Sequence, residues 1–93
     1  MTYEAEIGPL RDEINRLNVE IVERLAERVK VALDIGTVKH RHGKPIVDRS
    51  REGKVYEQAR ALAEKAGIDP GGVEKVFRGI VELCTQAELE DEV

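Results

Sequence analysis

Arg28 and Lys39 are the residues whose type and spacing most invite chemistry. They lie eleven residues apart, which on a helix is about 20° past three full turns. Ile21 precedes Arg28 by seven residues, and Ile35 follows it by seven, each step about 20° short of two turns. All four therefore fall near one line of an apolar stripe. Two cations on a buried stripe are costly unless something anionic meets them. Internal salt bridges or side chains that snorkel to solvent answer that cost. A bound anion answers it as well.

Other polar residues stand where a ligand could use them. The run Asp48-Arg49-Ser50-Arg51-Glu52 opens a helix, whose free N–H groups suit an anion or a hydroxyl. Plain N-capping also explains Asp48. Cys84 and Glu88 form an i, i+4 pair on the apolar side of a later helix. A carboxyl there either reaches solvent or enters a polar pocket. Arg11 is 17 residues before Arg28, about 100° away in azimuth. It cannot enter the same pocket from the same helix. It enters a neighbouring chain's pocket, or it pairs on the surface with Asp12, Asn15 or a partner glutamate. His40-Arg41-His42 has no Cys, Asp or Glu at ligand spacing and reads as solvated loop rather than a metal site.

Three helices must position these groups. Apolar residues at Ile7, Leu10, Ile14, Leu17, Ile21, Leu25, Ala32 and Ile35 make a helical stripe. Pro9 fits a first helical turn, Gly36 weakens the helix without stopping it, and His42-Gly43-Lys44-Pro45 ends it. The spacing predicts helix one over about residues 8 to 41, ~50 Å long. Helix two begins with Asp48 or Ser50 as cap and carries Val55, Ala59, Leu62, Ala63 and Ala66 before Gly67. Asp69-Pro70 opens helix three, with Val73, Val76, Phe77, Ile80, Cys84 and Ala87 on one face.

The expected fold is all-α, one domain over residues 1–93, with one long and two shorter helices. A compact domain of this size has a radius of gyration of ~12 Å, so helix one overshoots it. A second copy packed along the stripe in an intertwined homodimer is the simplest cover. A plain coiled-coil arm is the alternative, but Arg24 and Arg28 interrupt its seam.

Composition narrows the function classes. The chain is 41% hydrophobic and 37% charged, with net charge −4. Between Arg24 and Lys44 six basic residues face two acidic ones, while Glu88-Leu89-Glu90-Asp91-Glu92 is acidic. A locally basic middle in an acidic protein favours a small anion over a nucleic acid. The single cysteine permits no intramolecular disulfide. No signal peptide or membrane span is visible, and the expected place is the cytoplasm.

Taken together, Arg11, Leu25-Ala26-Glu27-Arg28, Lys39, Pro45, Asp48-x-x-Arg51-Glu52 and a polar residue late in helix three resemble the all-helical class of chorismate mutases. The resemblance runs from Leu10 to about Glu88, carried by the order and spacing of motifs that are individually short. It implies an intertwined dimer with two equivalent sites and a concerted Claisen rearrangement of chorismate to prephenate, without metal or organic cofactor. It implies that Arg28 holds one substrate carboxylate and Arg11 of the partner chain the other. Lys39 would meet a carboxylate and the ether oxygen. Glu52 would accept from the ring hydroxyl, the Asp48 region would add backbone contacts, and Arg51 falls at a patterned position. Cys84 and Glu88 stand where the family often has a small hydroxyl residue and a glutamine. A glutamate there can donate to the ether oxygen only when protonated. An isochorismate pyruvate lyase on the same scaffold and a non-enzymatic helical dimerisation module are the rival readings.

Overall fold

The computed structural model describes residues 1–92. They form three helices: α1 (Tyr3–Arg41), α2 (Arg49–Ala66) and α3 (Pro70–Asp91). There is no strand among the described residues.

Helix α1 begins five residues before the expected start. Thr2 caps it, its Oγ1 accepting from the Ala5 N–H at 3.1 Å. Glu4 and Glu6 in the first turn complement the positive helix end. Pro9 thus lies inside the helix rather than in its first turn. It brings no N–H, so the Ala5 carbonyl lacks its usual i+4 donor. The good cap and two acids outweigh the proline as a start signal. At the other end Lys39, His40 and Arg41 occupy the last turn and His42 is the cap, so the His40-Arg41-His42 run closes a helix instead of forming a loop.

Asp48, not Ser50, caps α2, its Oδ1 accepting from the Arg51 N–H at 3.1 Å. Gly67 ends the helix at φ 76°, a left-handed conformation that glycine adopts without cost. Asp69 caps α3, accepting from the Gly72 N–H at 2.9 Å, with Pro70 as first helical residue. A second left-handed glycine, Gly43 at φ 63°, turns the α1–α2 linker.

Helix α3 packs against both α1 and α2, which do not pack on each other among the described residues. Small side chains allow the close approach: Ala32, Ala59, Ala63 and Cys84 are buried, with Ile46 from the linker. Outside, Arg60 of α2 and Arg78 both bond Glu74 of α3 at 2.9 Å, and Arg78 lies 4.2 Å over the Tyr56 ring. The two arginines hold the Glu74 carboxyl below the usual carboxylate range.

This core is small for the chain. No large side chain among the described residues is fully buried. Residues 9–24 of α1 are all exposed, although Leu10, Ile14, Leu17 and Ile21 form its apolar stripe. The radius of gyration is 17.3 Å and the longest dimension 63 Å, against ~12 Å for a compact domain of this length. Leu62 and Val76, expected on packed faces, are also more than half exposed.

Candidate active site

A cleft of about 310 Å³ opens where the C-terminal half of α1, the linker, the start of α2 and the end of α3 meet. It brings together seven of the eight residues singled out from the sequence: Arg28, Lys39, Asp48, Arg51, Glu52, Cys84 and Glu88. Arg11 does not line it. Its guanidinium reaches the Tyr3 hydroxyl at 3.5 Å on the exposed surface, rather than Asp12, Asn15 or a glutamate of its own chain.

The two cations on the α1 stripe converge as their periodicity predicts. The Arg28 guanidinium donates to Cys84 Sγ at 3.0 Å. The Lys39 ammonium donates to the Ile46 carbonyl at 2.7 Å. Neither these two nor Arg51 has a carboxylate within ion-pair distance among the described residues. Internal salt bridges therefore do not account for their place on the stripe. A thiol and a carbonyl are weak partners for full charges, which leaves most of the donor capacity of both cations facing the cleft.

The carboxyls are disposed differently. Asp48 is occupied as the α2 cap. Glu52 is largely buried and accepts from Arg49 at 3.0 Å. Glu88 is buried, and its Oε2 has no hydrogen-bond partner among the described residues. Burial pushes the Glu88 carboxyl above its ordinary range; the charges of Lys39 and Arg28 oppose this, and that of Glu92 adds to it. The i, i+4 pair on α3 is thus a pocket pair: Cys84 and Glu88 both point inward.

Three features of the site escaped the sequence. Thr85 lines the cleft beside Cys84, though a helix turns about 100° per residue. The Ile46 carbonyl anchors Lys39, and backbone atoms carry no sequence signal. Glu88 also borders a second, smaller cleft of about 150 Å³ with Gly36, Thr37, His40, Asp91 and Glu92. Among the described residues no cluster of metal-ligating side chains forms and no helix is long and apolar enough to cross a membrane.

Such a cleft suits a compact polyanion with an apolar body. Arg28, Lys39 and Arg51 supply donors, and Val31, Ala32, Ile35, Val55 and Val81 supply apolar walls. Comparison with known proteins gives the same direction. The chain is 37% identical over 78 residues to the T-protein of Haemophilus influenzae, covering 84% of this chain and 21% of that protein. It is 29% identical over 77 residues to the chorismate mutase of Methanocaldococcus jannaschii, covering 83% and 78%. It is 30% identical over 93 residues to the bifunctional chorismate mutase/prephenate dehydratase of Escherichia coli, covering 97% of this chain and 24% of that protein. The chain thus spans about a fifth to a quarter of the two longer relatives. Residues 10–89 match the family chorismate mutase type II, a span that holds all eight candidate residues, and the chain belongs to that family.

Proposed function

We propose that the chain is a chorismate mutase acting as a homodimer in the aromatic amino-acid pathway, one catalytic domain over residues 1–93. The observation that carries this is the pair of cleft cations, Arg28 and Lys39, without carboxylate partners beside a buried carboxyl. Chorismate is a dianion of two carboxylates on an apolar ring, with an ether and a hydroxyl. In its rearrangement to prephenate the ether C–O bond breaks as a C–C bond forms. Atoms and electrons balance within the one molecule, so the reaction calls for no redox partner. The free thiol of Cys84 suits a reducing compartment, and we place the enzyme in the cytoplasm.

Each residue then has a physical task. Arg28 clamps one carboxylate with its planar fork. Lys39 meets a carboxylate and the ether oxygen, where negative charge grows. Glu52 accepts from the ring hydroxyl, with Asp48 and Arg51 shaping that end. Arg11, remote from its own cleft, reaches the site of the partner chain and holds the other carboxylate there. The exposed stripe of α1 supplies the surface for that partner. Holding the enolpyruvyl arm over the ring removes freedom before the barrier. Donors fixed where charge develops contribute about 3 kcal/mol each.

Purified protein incubated with chorismate tests this directly. Chorismate absorbance should decay with stoichiometric prephenate. In a parallel incubation with isochorismate, accumulation of salicylate and pyruvate with chorismate left unchanged would identify a lyase, and a protein inert toward both would leave a dimerisation module.

Glu88 gives the reaction a pH dependence of definite sign. It donates to the ether oxygen only as the acid. The acid form prevails below its pKa and is lost above it, and burial moves that pKa upward. Activity should therefore fall as pH rises through the elevated value. Glu88→Gln, a donor at every pH, should flatten the fall, while Glu88→Ala should be slower throughout. Identical pH profiles of kcat/KM for wild type and Glu88→Gln would remove Glu88 from this role.

A further inference from the structure

Gly36 lies inside α1 and is buried. Glycine in a helix interior is less stable than alanine, so its presence there calls for a reason. Its φ is not positive, unlike those of Gly43 and Gly67, and backbone freedom is not that reason. Gly8, Gly53 and Gly79, also inside helices, have open space where a Cβ would stand. At Gly36 that atom would sit 3.4 Å from Glu88 Cγ and 3.6 Å from Glu88 Cβ and Oε2. A methyl would just fit, but against a carboxyl oxygen that is buried and lacks a hydrogen-bond partner among the described residues.

We propose that Gly36 is a positioning residue for Glu88: by presenting no side chain it seats the carboxyl between α1 and α3 and withholds a hydrogen-bond donor from Oε2. A donor at that place would stabilise the carboxylate over the acid. The position of the carboxyl and the absence of that donor thus both keep Glu88 able to give a proton to a hydrogen bond in the cleft. The inference rests on the reading of Glu88 as that donor.

The charged surroundings of Glu88 are independent of residue 36. Arg28 and Lys39 face it from α1 on the cleft side. His40 of α1, with Asp91 and Glu92 of α3, lines the smaller cleft behind it. Across the main cleft stand Asp48, Arg51 and Glu52. Substitution at Gly36 leaves all of these in place, so a changed titration of Glu88 reports the new side chain.

The test compares intact wild type, Gly36→Ser and Gly36→Ala. The Glu88 carboxyl carbon is titrated by NMR without substrate, and kcat/KM for chorismate is followed against pH. The serine hydroxyl extends one bond beyond the Cβ position and comes within reach of Oε2. Its Glu88 midpoint should fall by about one pH unit, taking the alkaline limb of the activity profile with it. Alanine offers no donor and only adds apolar atoms beside the buried carboxyl, so its midpoint should stay or rise while the thermal midpoint rises with helix propensity. A serine midpoint equal to wild type, or an alanine midpoint moved downward, overturns the proposal. The carbon titration needs no substrate, so the two readings fail separately. A wild type inert toward chorismate with a shifted serine midpoint rejects the activity and keeps the assignment of Gly36. An active enzyme with fixed midpoints rejects only Gly36.

Discussion

Lys39→Ala should lower kcat/KM for chorismate by about 10²–10³-fold, with kcat carrying much of the loss. The ammonium is held at 2.7 Å from the Ile46 carbonyl, so it is aimed before substrate arrives. In the proposed site it meets, besides a carboxylate, charge that is small in bound chorismate and grows as the ether bond breaks, and that part of the interaction registers in kcat. Arg28→Ala should differ in kind. Arg28 faces a carboxylate that is charged throughout, so its loss should appear mainly as a raised KM, again about 10²-fold. Arg28→Lys should recover little, because an ammonium cannot present the planar fork. Steady-state kinetics on each variant, with circular dichroism to confirm helix content, checks both. Near-normal kinetics in Lys39→Ala and Arg28→Ala together would return the chain to the class of dimerisation modules.

Mixing two dead variants should restore activity. Arg11 is exposed and outside its own cleft, and α1 leaves residues 9–24 exposed. In a two-fold dimer built along that face, each site would draw Arg28 from one chain and Arg11 from the other. Arg11→Ala and Arg28→Ala homodimers should both be nearly inactive. A heterodimer has one site with both arginines and one with neither. An equal mixture with random exchange should recover about a quarter of wild-type activity, since half the dimers carry one good site of two. Native mass spectrometry reports whether heterodimers form. Heterodimers without recovered activity would refute the shared site.

What could be read from the sequence follows the range of the physics involved. Asp48, Gly67 and Asp69-Pro70 announce helix ends through local backbone chemistry, and the structure uses each as such. The Arg28–Lys39 line is legible because helical period alone places both side chains on one face. Pro9 misleads because it is a start signal on average, while the local cap at Thr2 is better. The Ile46 carbonyl, Thr85 and the orphaned Glu88 oxygen depend on how α3 docks on α1, which no local pattern encodes. The overshoot of helix one was legible too, because its length follows from the apolar period alone. A compact radius presumes that a chain buries its own stripe, and this one leaves Leu10, Ile14, Leu17 and Ile21 exposed.

That uncovered stripe also bears on what stability means for this molecule. With only Ala32, Ile46, Ala59, Ala63 and Cys84 as a buried apolar core among the described residues, the isolated chain has little to set against the entropy of ordering its helices. If the proposed homodimer covers that stripe, folding and pairing become one equilibrium, bimolecular in unfolded chains. Its midpoint belongs to the solution as much as to the polypeptide: each tenfold dilution weakens the folded dimer by about 1.4 kcal/mol per mole of dimer. A substitution on the exposed face of α1 would then act on abundance and on catalysis together, because the same event that completes the fold completes the site.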